Sequence, residues 1–198
     1  MRVLVACEFS GVVRDAFARK GHDAVSCDLR PTLRPGAHYC GSVEDILDDG
    51  WDLMIAHPDC TYLCSSGLHW NKRVPGRAEK TESALAFVRT LMAAPIPKKC
   101  IENPVGCIST CIRPPDQKIQ PYEFGHDASK NTCLWLFNLP LLKKDPAKFV
   151  RPRIVNGNCR WGNQTDSGQN RLGPSPDRAK IRSITYQGWA DAMAEQWG

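Results

Sequence analysis

Four short apolar runs, each stopping abruptly at polar or catalytic-type residues, limit this chain to few architectures. The first is Val3-Leu4-Val5-Ala6-Cys7, which ends in Glu8-Phe9-Ser10-Gly11. A run this short and uniformly apolar suits a parallel strand covered on both faces, not the alternation of a half-solvated sheet. Helical spacing follows from Val12 to Lys20, through Val13, Ala16 and Phe17, and Gly21 stands where a helix C-cap glycine would. The second run, His22 to Asp28, ends in an acid. Strand, glycine turn, helix and strand in 28 residues form the opening unit of a doubly wound α/β domain.

The later runs continue the alternation. Asp52 to Ala56 predicts a strand ending in His57-Pro58-Asp59-Cys60, and Lys99 to Glu102 predicts another ending at Asn103-Pro104. Between them, Ala84, Leu85, Val88, Leu91 and Met92 mark one face of a helix over about 78–92. A last helix from Gln187 to Trp197 carries Trp189, Met193 and Trp197 at four-residue spacing, a core stripe. The expected fold is therefore α/β, with a doubly wound, mostly parallel sheet in a single domain over 1–198. Residues 143–180 change character: rich in Gly, Pro and Asn and without periodicity, they read as an irregular basic insertion.

Composition excludes several classes. With 42% hydrophobic and 24% charged residues the chain is not disordered. No apolar run approaches the roughly eighteen residues of a membrane span, and the N-terminal run has the wrong form for a signal peptide, so a cytoplasmic protein is expected. Several of the ten cysteines fall inside strand-like runs (Cys7, Cys27, Cys100, Cys133) and suit buried free thiols in a reducing compartment. Cys100, Cys107, Cys111 and His126 are the one set that invites a metal, but their spacing fits no zinc pattern, and no metal is expected. The net charge is +5, and between Lys143 and Arg182 ten Lys or Arg face three Asp. Such a surface either meets phosphate or is simply solvated.

Ligands of open α/β sheets bind beyond the carboxyl ends of the strands. Phe9-Ser10-Gly11, Asp28, His57 to Cys60 and Glu102-Asn103-Pro104 all fall there. Singly, each has a structural explanation. Jointly they place a thiol and a carboxylate at one crevice, a pairing suited to thiolate addition to an electron-poor ring while an acid manages the charge.

On these residues the chain resembles the DNA (cytosine-5) methyltransferase family, over about 1–110 and the last dozen residues. Phe9-Ser10-Gly11 is similar to the family's cofactor loop, Asp28 to its second-strand acid, Pro58-Asp59-Cys60 to its Pro-Pro-Cys loop and Glu102-Asn103-Pro104 to its Glu-Asn-Val. The resemblance implies a Rossmann-like fold binding S-adenosylmethionine through Phe9, Ser10, Gly11, Asp28, Asp45 and Pro58. It implies Cys60 as the nucleophile at carbon 6 of a flipped cytosine and Glu102 as the group holding its amine and ring nitrogen. Asp59, Asn103, Pro104 and Lys130 would contact the substrate, and Cys60 would need a depressed pKa. DNA is the implied partner, in a bacterial or phage-infected cell. The chain departs from the family in four ways. Asp59 replaces a proline, and Gly41-Ser42-Val43 stands where an acid is usual, leaving Asp45 or Glu44 as substitutes. The family's arginine pair is unmatched, with Lys118, Gln120, Lys130 and Arg153 as candidates. Residues 143–180 are also too few for a target-recognition domain, which implies low specificity, a very short site, or help from a homo-oligomer or second subunit. An enzyme adding another group to cytosine or acting on free nucleotides, and a non-catalytic nucleic-acid-binding module, stay open.

Overall fold

The computed structural model describes all residues 1–198. In chain order the elements are β1 (Arg2–Ala6), α1 (Val12–Arg19), β2 (Asp23–Asp28), β3 (His38–Cys40), β4 (Leu53–Ala56), α2 (Ser65–Leu68), α3 (Arg77–Ala93), β5 (Lys98–Pro104), α4 (Ile108–Cys111), β6 (Gln117–Ile119), β7 (Thr132–Phe137), β8 (Arg153–Val155), β9 (Asn158–Arg160), α5 (Arg178–Ser183) and α6 (Gln187–Trp197). β1 to β7 form one sheet in the order β3-β2-β1-β4-β5-β7-β6. The first five strands pair in parallel. β7 runs antiparallel to both β5 and β6. This mixed seven-stranded order is that of the Rossmann-like methyltransferase fold.

Period-two alternation on the buried strands sorts the core into two halves. Val3 and Val5 of β1 and Leu53 and Ile55 of β4 face α1 and α6, packing against Phe17, Trp189 and Met193. Leu4, Ala6, Met54 and Ala56 face the other way, against Leu85, Val88 and Leu91 of α3. The Trp189, Met193 and Trp197 stripe is buried as its spacing implies. Residues 143–180 are more ordered than expected: β8 and β9 form a hairpin through Asn156-Gly157, both at positive φ, a dipeptide suited to that tight turn. The hairpin is tied to the body where Trp161 stacks on Tyr122 at 4.1 Å. No helix is long and apolar enough to cross a membrane.

One buried charge organises the first crossover. Arg14 has a side chain only 2% exposed and pairs with Asp15 at 2.7 Å. It also donates to Ser26 Oγ, Thr32 Oγ1 and the carbonyls of Arg34 and Pro35. It thereby ties α1 to β2 and to the loop before β3. Gly11 and Gly36 leave it room: a Cβ on either would lie 2.6–2.7 Å from the guanidinium, and both residues have positive φ. Arg14→Leu should lower stability by about 3 kcal/mol in urea unfolding, because it strands the polar groups gathered around the guanidinium. A loss under 1 kcal/mol would mean that the loop is held by other contacts.

Candidate functional site

Strand register builds the site. β4 and β5 pair with Ala56 opposite Ile101, so one residue further on His57 meets Glu102 and Pro58 meets Asn103. His57 Nδ1 lies 3.0 Å from Glu102 Oε2, and Asn103 Nδ2 donates to the Pro58 carbonyl at 2.7 Å. Both links hold the loop that carries Cys60. Asp59 stiffens it further, accepting from Thr61 N–H and its hydroxyl, an Asx turn at the position where the resembled family carries a proline.

A cavity of about 1180 Å³ opens over these strand ends. Phe9, Ser10, Asp28, Pro58, Asp59, Cys60, Glu102, Asn103, Pro104 and Lys130 all line it. Gly11 and Asp45 do not. Gly11 instead packs against Arg14, and Asp45 accepts a hydrogen bond from the Tyr39 hydroxyl. After β3 the wall is made by Gly41, Ser42 and Val43. Of the four candidates for the unmatched arginines, only Lys130 reaches the cavity; Arg153 is paired with Asp166.

Reading residue types in order missed several groups. Glu8 is buried and accepts from Ser10 Oγ and from Val13 N–H at the start of α1, a carboxylate completing a helix N-terminus. Cys64, Lys80, Arg178 and Arg182 also line the cavity. The signal for Cys64 was its place four residues after Cys60. Arg178 and Arg182 were counted only within the basic stretch from Lys143 to Arg182, and their four-residue spacing is the signal that one helix carries both.

Electrostatics differ from expectation at the central thiol. Cys60 is pushed far up from the ordinary thiol range, first by its interaction with Cys64 and then by burial, while the Lys130 charge pulls the other way. The depressed pKa expected of Cys60 is instead found on Cys64, which falls to about 5. The Cys60 thiol beside it is the main cause; burial opposes, and the Ser66 hydroxyl and Gly67 N–H add to the lowering. The backbone brings the pair together, Cys64 N–H donating to the Cys60 carbonyl at 3.0 Å. Burial pushes Glu102 up, but the Lys130 charge and the His57 bond outweigh it and hold the carboxylate below its usual range. Lys130 therefore acts on both groups.

The residues at the ends of β1 to β3 fit an adenosine-type cofactor. Asp28 lines the cavity beside Leu29 and Ser42, offering a carboxylate for a diol next to apolar and hydroxyl surface. Arg30 lies over the Phe9 ring at 5.4 Å, so that aromatic face is already covered on one side. The cavity exceeds the usual 300–1,000 Å³ range of a small-molecule pocket.

No family model and no curated protein matches this sequence. Among solved structures, one similar fold is the crystal structure of a candidate DNA modification methyltransferase encoded within a prophage (E. coli), at a TM-score of 0.45 and 13% identity. The match covers 68% of this chain and 45% of that one, so this chain spans less than half of that protein's length.

At pH 6, iodoacetamide should alkylate Cys64 about tenfold faster than the exposed Cys40, Cys111 and Cys159, its larger thiolate fraction outweighing the lower nucleophilicity of a more acidic thiol. Cys60→Ala should remove that advantage. Peptide mapping that finds Cys60 modified first would contradict the assignment of the thiolate.

Proposed function

We propose that this chain is a DNA cytosine-5 methyltransferase, with Cys60 and Glu102 as its catalytic residues. The observation that carries this reading is the meeting of a thiol and a buried carboxylate on adjacent strand ends of one cavity, with Lys130 charged toward both.

In this reading Phe9, Ser10, Asp28 and Pro58 hold S-adenosylmethionine, with the β3 wall at Ser42 in place of Asp45. When bound, that cofactor supplies an electrophilic methyl group. Cys60 Sγ forms a bond to carbon 6 of a cytosine turned out of the stack, and its proton passes to Cys64. The ring electron pair shifts toward carbon 5, which becomes the atom that accepts the methyl group. Glu102 holds the exocyclic amine, and Lys130 offsets the negative charge that builds on the ring. Loss of the carbon-5 proton to water then restores the double bond, and the electron pair of the breaking C6–S bond leaves with Cys60 Sγ, which recovers its proton from Cys64. Lys80, Arg178 and Arg182, at the rim of the same cavity, meet backbone phosphates. Residues 143–180 serve as the strand-facing insertion of a single domain.

DNA containing 5-fluorocytosine blocks the final proton loss, so incubation with it and S-adenosylmethionine should leave a denaturation-resistant adduct. Cys60→Ser should abolish the adduct, and Glu102→Gln should slow its formation at least about a hundredfold. Binding of the cofactor without any adduct would exclude thiol addition to DNA cytosine. An adduct that persists in Cys60→Ser would move the nucleophile to Cys64.

A further inference from the structure

His57 stands outside the catalytic pair, yet it is committed to the cavity floor. Its side chain and that of Glu102 are each only 9% exposed, and its Nδ1 is held by Glu102 Oε2. Each keeps one buried atom without a partner, His57 Nε2 and Glu102 Oε1, and Asn103 Oδ1 is a third. All three residues line the cavity. Buried polar atoms are nearly always satisfied, so three orphans on one floor point to a ligand that brings the matching groups.

The chemistry of the orphans says what those groups are. In the neutral tautomer that donates Nδ1–H to Glu102 Oε2, His57 presents Nε2 as a lone pair. Glu102 Oε1 and the Asn103 carbonyl oxygen are also acceptors. The set of three unpartnered atoms thus offers acceptors alone. It matches a ring edge with N–H groups and opposes one that presents a carbonyl.

We propose that His57 is a specificity-determining residue that selects an amino-pyrimidine over a keto-pyrimidine. Its Nε2 accepts one hydrogen of the exocyclic amine, and Glu102 Oε1 accepts the other. A uracil-type base would turn its carbonyl oxygen toward both lone pairs, leaving all of them unpaired. The proposal rests on the cytosine reading above and deepens it, naming what keeps the chemistry off uracil and thymine.

The test is fluorescence anisotropy with two single-stranded oligo-dA probes, one carrying a central dC and the other a central dU, in the presence of S-adenosylhomocysteine. The wild-type chain should prefer dC by about a hundredfold. His57→Gln can keep the bond to Glu102 and turn either its oxygen or its amide N–H toward the base. Its preference should fall to about tenfold or less, mainly through tighter binding of dU. His57→Phe should instead weaken dC binding about tenfold. A His57→Gln protein that folds and keeps the full preference would overturn the assignment while leaving the proposed function standing. A wild-type chain indifferent to the base would overturn it as well, and the Cys60 adduct then decides the proposed function separately.

Discussion

The register between β4 and β5 is the constraint from which the site follows. Because Ala56 stands opposite Ile101, His57 must meet Glu102 and Pro58 must meet Asn103. A slip of one residue would turn Glu102 into the core, at the cost of a buried carboxylate with no partner. The same slip would unseat Met54 and Ala56 from one half of the core and Leu53 and Ile55 from the other. Packing of the sheet therefore enforces the geometry of the cavity floor. The site needs little scaffolding of its own beyond the two hydrogen bonds that close the strand ends.

Charge placement is the second layer. Glu102 is buried, but Lys130 and His57 make its ionised form tolerable. Cys60 is shifted up and Cys64, one turn on, down from the ordinary thiol range. In the proposed reaction this pairing gives Cys60 an acceptor for its proton when a base arrives. Arg14 does comparable work at the other end of the sheet, where it fixes the loop that leads toward the wall at Gly41 to Val43.

Much of this was legible in the sequence because buried parallel strands and amphipathic helices write themselves as simple periods. β1, β2, β4, β5, α1, α3 and α6 all lie where their apolar spacing puts them. Asp28, Cys60 and Glu102 were visible because strand ends can be located once strands are. β3, β6 and the β8–β9 hairpin were missed because three residues are too few to show a period. Gly11 read as part of a ligand loop, yet its freedom is used to admit Arg14, a long-range contact that no local pattern encodes. The role of Cys64 depends on electrostatic coupling to Cys60, which only coordinates reveal. His57 was seen as part of its loop, but its bond to a residue 45 positions away comes from strand register rather than from spacing.

In the proposed reaction carbon 5, rather than the exocyclic amine, is the atom modified. Release of tritium from DNA carrying [5-³H]cytosine tests it most directly, measured beside methyl incorporation from labelled S-adenosylmethionine. One tritium should be released for each methyl group incorporated, with both lost in Cys60→Ser. Methyl incorporation without tritium release would place the chemistry on nitrogen and contradict it.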